Sequence, residues 1–109
     1  MNNQGFYFSR LWKIKPGKLD VFTDWMNQLK TTRREEALAT FEHEGVKREV
    51  FVLFLGSEGS HYVAAFNEGP VSPQPSDPSV AINTEHKRVK EECLEPVSNP
   101  GEVLLDLYK

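Results

Sequence analysis

In the stretch SVAINTEHKRVKEECLEP (79–96) a histidine stands among residues that should seek a core. Ile82, His86, Val89 and Cys93 follow one another at +4, +3 and +4, the spacing of one helical face. An imidazole there either meets a hydrogen-bond partner and is a satisfied core group, or meets a cavity and can pass a proton near neutral pH. A second set of polar residues turns the same way. Continuing the face of Phe22, Met26 and Leu29 at about 100° per residue carries it through Arg33, Glu36, Thr40 and Glu44. Strand parity adds Arg10 (with Phe6, Phe8 and Trp12), Glu49 (with Phe51, Leu53 and Leu55) and Tyr62 (with Ala64 and Phe66).

Inward charges cost several kcal/mol each unless they are paired or face water, so the pattern has two readings. In the first it is a small-molecule site. Arg33 holds a carboxylate or carbonyl oxygen by charge-assisted hydrogen bonds, and His86 is general acid and base. One of Glu36, Glu44 and Glu49 orients His86, with Glu49 placed in the catalytic set. Arg10, Glu36, Thr40, Glu44 and Tyr62 are the expected ligand-binding residues. The reaction is a proton transfer, such as an isomerisation, with no cofactor. In the second reading Arg33, Glu36, Glu44 and Glu49 are an ion-pair network joining helix to sheet in a non-catalytic domain. A divalent metal held by His86 and two carboxylates is a third option, but no helical pair at metal-ligand spacing supports it, and no metal is expected. Cys93 reads as a small core residue, because nothing nearby lowers its pKa. His43 and His61 read as surface groups.

The whole chain narrows the choice. Its 109 residues suit one domain, 1–109. A net charge of −3 gives no electrostatic footprint for nucleic acid. One cysteine excludes an internal disulfide and a cysteine-rich zinc site. The opening MNNQGFYFSRLWK lacks the build of a signal peptide, and no apolar run reaches transmembrane length, so the expectation is a cytoplasmic protein with no membrane partner. GxGxxG, P-loop, HExxH and GxSxG motifs are absent.

The elements that must position these residues follow from periodicity. FYFSRLWKIK (6–15) alternates as a strand and ends at Pro16-Gly17. Residues 18–44 have helical period, with Gly45 as C-terminal cap. One rod of that length would span about 40 Å, so a break is expected near the β-branched pair Thr31-Thr32, which would rotate the second half and could turn Ala37, Leu38 and Phe41 inward. REVFVLFLG (48–56) and HYVAAFNE (61–68) form a hairpin about SEGS. After a proline-rich loop, Asp77-Pro78 opens a helix that Pro96 ends, and EVLLDLY (102–108) reads as the last strand. The order is β-α-β-β-α-β: an α+β, ferredoxin-like arrangement with a four-stranded antiparallel sheet and helices on one face. The strand VFVLFL is apolar on both sides, so the uncovered face calls for a partner, and a homodimer packed sheet to sheet is expected. In the ferredoxin-like order an RNA-recognition motif must be checked, but EGSHYVAAF lacks its basic residue and stacking aromatics.

The string RREEALATFEHEGVKREVFVL (33–53), followed by a hairpin and AINTEH (81–86), resembles a bacterial domain-of-unknown-function family within the dimeric α+β barrel superfamily. The matching positions are Arg33, Glu36, Thr40, Phe41, Glu44, Gly45, Val46, Glu49, Phe51 and His86. The resemblance implies a dimeric barrel with a pocket between sheet and helices. That superfamily holds cofactor-free monooxygenases, lactone isomerases, sugar mutarotases and haem enzymes, and fold alone does not choose among them.

Overall fold

The computed structural model describes residues 4–70 and 75–109. Part of the proline-rich loop, and the facing expected of the Phe6 and Phe8 side chains, lie outside the described residues. The elements run β1 (Gln4–Ile14), α1 (Leu19–Lys30), α2 (Arg34–Glu44), β2 (Arg48–Leu55), β3 (His61–Pro70), α3 (Ala81–Cys93) and β4 (Leu94–Pro96). The sheet is antiparallel with order β2-β3-β1-β4. Counting α1 and α2 as one broken helix, this α+β arrangement is compatible with the ferredoxin-like fold.

The break falls where the two threonines stand. Thr31 leaves helical geometry at φ −124°, ψ −90°, and its hydroxyl donates to the Asn27 carbonyl at 2.8 Å. That bond competes with the helical ladder. Arg33 N–H reaches back to the Gln28 carbonyl at 2.8 Å, and α2 starts at Arg34. It ends at Gly45, whose φ of 76° lies in the left-handed region that glycine enters without strain.

The core lies between sheet and helices. Phe22 and Trp25 from α1 meet Ile82, Val89 and Cys93 from α3 over Ile14, Val63 and Leu94 of the sheet. Cys93 is wholly buried, and burial pushes its thiol pKa up, which keeps it inert. The opposite sheet face is uncovered: Leu11, Val52 and Phe54 are 37%, 36% and 52% exposed.

Three expectations need correction. The last strand is not 102–108 but Leu94–Pro96, which leaves α3 without a loop and pairs with Trp12–Ile14. Leu94 takes the place because it is buried against the core, whereas Leu104, Leu105, Leu107 and Tyr108 stand exposed without regular structure. Pro96 therefore ends a strand, not the helix, which stops at Cys93. Nor does Asp77 cap α3. It accepts from Ser79 N–H and Oγ–H at 2.9 and 2.8 Å, folding a turn ahead of the helix.

Candidate functional site

The break divides the expected polar ladder, leaving Arg33 ahead of α2 and the other members on it. Ala37, Thr40, Phe41 and Glu44, at +3, +4 and +7, turn toward the sheet and form one wall of a cavity of about 210 Å³. The floor is Trp12, Phe51 and Ala65 with Glu49 and Asn67, an opposed pair in the β2–β3 ladder. The far wall is α3, through Ile82, Asn83, His86 and Lys90. Four expected site residues therefore meet: His86, Glu49, Glu44 and Thr40.

The others do not join them. Arg33 sits just before α2 and clips three elements together. Its Nε and Nη2 donate to Glu36 at 2.7 and 2.9 Å, its Nη1 donates to Glu85 of α3 at 2.7 Å, and its guanidinium lies 5.6 Å from the centre of the Trp25 ring. These bonds hold the Glu36 and Glu85 carboxyls below the usual carboxylate range and raise the Arg33 pKa. The expected pairing of Arg33 with Glu36 is present, and Glu85 is the second partner. Arg10 borders a different hollow with Leu11, Ala64, Ser98 and Glu102. A register irregularity between Phe8 and Leu11 interrupts the alternation that had tied Arg10 to Trp12. Tyr62 stands opposite Phe54 toward the uncovered face, and a hydrogen bond to Glu58 raises its pKa.

His86 lines the cavity and is fixed by α1. Trp25 Nε1–H donates to His86 Nδ1 at 2.8 Å, and the Phe51 ring stands edge-on to the imidazole with centroids 6.0 Å apart. Desolvation, and then the positive charge of Lys90, push the His86 pKa down to about 4. Glu49 moves the other way. Its carboxyl keeps accessible surface because the cavity is open, yet the walls crowd it. That desolvation raises its pKa against the pull of Lys90, with Glu44 adding repulsion. Asn67 donates to Glu49 Oε2 at 3.3 Å in the amide orientation that gives its nitrogen two acceptors. Lys90 lies 5.7 Å from the centre of the Trp12 ring.

Sequence reasoning passed over Trp25, Lys90, Asn67 and Asn83. Trp25 had a signal, since it stands at +3 from Phe22 and four before Leu29. Lys90, at +4 from His86, had the same one. Among the described residues no group of three or more His, Cys, Asp or Glu is placed to hold a metal ion, and no helix is long and apolar enough to cross a membrane. No curated protein and no solved structure matches this chain. Residues 9–109, which include every cavity residue named here, match the model of the family of unknown function DUF6176, and the chain belongs to that family.

Proposed function

We propose that the protein is a small-molecule-binding homodimer, each subunit holding a small organic acid in the cavity between α2, α3 and the sheet and moving a proton on it without a cofactor. The observation that carries the reading is that Glu49, its pKa raised, shares one cavity with Lys90 and His86. At about 210 Å³ the space is below the range of drug-sized sites and suits a small metabolite. Lys90 supplies a cation for the acid's carboxylate, and Asn83, whose amide gives one hydrogen to the Asp77 carbonyl, keeps a second to donate. A crowded carboxyl such as Glu49 is a better proton acceptor than a free one at neutral pH. It takes a proton from a carbon next to a double bond, the C–H electron pair becomes the new double bond, and the old π pair moves to its far atom, which takes the proton back. Atoms and electrons balance as an isomerisation.

The rival, a purely structural ion-pair network, describes Arg33 well. It does not account for Glu44, Glu49 and Lys90, none of which makes an ion pair among the described residues. A thermal-shift screen of small organic acids tests the reading. Hits should lose their shift in Lys90→Met and keep it in Glu49→Gln, while Glu49→Gln stops deuterium exchange into the bound acid. A screen without hits would favour the network. The dimer rests on the apolar uncovered sheet face. Light scattering should give twice the chain mass at micromolar concentration, and the monomer mass for Phe54→Glu.

A further inference from the structure

A tryptophan indole can only donate a hydrogen bond. The 2.8 Å contact from Trp25 Nε1 therefore makes His86 Nδ1 an acceptor, and the neutral ring must carry its proton on Nε2. Among the described residues no hydrogen bond is made by Nε2, although the ring lines the cavity. A half-buried N–H with no protein partner needs an acceptor. We infer that the cavity's ligand is a carboxylic acid with a carbonyl oxygen placed to accept a hydrogen bond from His86 Nε2–H, and that Trp25 is the positioning residue that keeps the proton on that nitrogen. The inference rests on the reading of the cavity as an organic-acid site and names the acid's second functional group.

The division of labour differs from a histidine acid–base. Protonating Nδ1 would set two donors against each other at the Trp25 contact, so the ring resists a second proton for a geometric reason besides burial. The charged groups on the elements around it are Lys90, Lys87 and Glu85 of α3, Glu49 of β2, Glu44 of α2 and Arg33 between α1 and α2. Lys90 opposes a second cation, and Glu85 is already bound to Arg33. A neutral donor in this position polarises a carbonyl and stabilises the oxygen as negative charge develops there. Proton removal from the adjacent carbon then falls to Glu49.

Two measurements separate this inference from the reading beneath it. The first needs no ligand: long-range ¹H–¹⁵N NMR of the imidazoles. His86 should carry its proton on Nε2 across neutral pH. In Trp25→Phe, which keeps an aromatic body but removes the N–H, it should show mixed tautomers and titrate nearer the free value of about 6.5. If Trp25→Phe leaves tautomer and titration unchanged, or the wild-type proton sits on Nδ1, the role of Trp25 is overturned. Should Trp25→Phe unfold, the wild-type tautomer alone decides. The second uses the matched probes 2-oxobutanoate and butanoate. The oxo acid should bind at least tenfold more tightly and shift the His86 Nε2 resonance, and His86→Phe should erase the preference. Equal binding overturns the carbonyl assignment. If neither acid binds while the Nε2 tautomer holds, the organic-acid reading fails and the Trp25 role stands.

Discussion

The two halves of the broken helix are almost equal in length and opposite in use. α1 buries Phe22 and Trp25 and reaches through Trp25 into the imidazole of α3. α2 has no buried residue at all, yet it supplies a whole wall of the cavity. One half is frame; the other is held at its ends, by the Arg33 clip and by the Gly45 cap. The comparison teaches that an inward polar face need not be a buried one. A half-helix that gives the core little is free to carry Thr40 and Glu44 against the sheet at no desolvation cost beyond that of the cavity itself.

The contrast can be broken by experiment, and the largest effect should come from the frame. Trp25→Ala removes a large buried ring and strands His86, and should cost about 3–5 kcal/mol in urea unfolding, while Phe41→Ala in α2 should cost about 1 kcal/mol, the centre of ordinary substitutions. Comparable costs would erase the distinction.

The next effect is of pH. The folded pKa of His86, about 4, lies below its unfolded value of about 6.5. Between those values the unfolded chain binds the extra proton, so stability is fully present above pH 6.5 and falls as pH drops toward 4. The ceiling is on the order of 3 kcal/mol. Acid titration of unfolding should show this slope in the wild type and lose it in His86→Phe. Glu49 has the reverse sign. Its folded pKa is raised, so its contribution is complete at low pH and is lost as pH rises through that pKa.

Amide exchange should follow the same division. The amides of Ala37 to His43 should exchange roughly tenfold or more faster than those of Phe22 to Met26, because few buried contacts must break to open α2. Equal protection would mean that α2 is part of the frame. Smaller again is the effect of the clip: Arg33→Ala should lower the melting temperature by a few degrees and speed exchange in α2 only, with Arg34→Ala near neutral. The pairs lie close to solvent, which limits their worth. Smallest is Glu49→Gln, which should raise the melting temperature slightly at neutral pH by removing a crowded charge. Destabilisation instead would mean that Glu49 holds the floor together.

How much of this was legible in the sequence follows the same line. The α1 stripe, the hairpin, the break at Thr31-Thr32 and the inward turn of His86 were readable because each is fixed by local period or local chemistry. What the break did to the ladder was not: where α2 points after it cannot be computed from residue types, and it left Arg33 outside the helix, holding the Glu36 carboxylate one turn short of the cavity wall of Thr40 and Glu44. Arg10 was lost to a one-residue irregularity in β1, since parity arguments fail at a bulge. The segment 102–108 has strand composition without a strand, because β propensity records fit to a pleated neighbour and says nothing of whether one is present. Trp25 was missed although its spacing from Phe22 and Leu29 puts it on the inward stripe, and helical period in any case does not say which polar group an inward indole meets.

One contact sets a dimension of the cavity. Where β3 ends beneath the C-terminus of α2, a methyl group added to Gly69 would stand 2.8 Å from the Gly45 carbonyl oxygen and 3.2 Å from Val46 Cα. Backbone rests on backbone there, with no side chain between to be trimmed or lengthened. The spacing of wall and floor at that end is thus gauged by the chain itself. Substitutions among the lining residues can change what the space recognises while its width stays put, whereas Gly69→Ala would act as a shim, lifting the wall and enlarging the space without altering a single group that faces it.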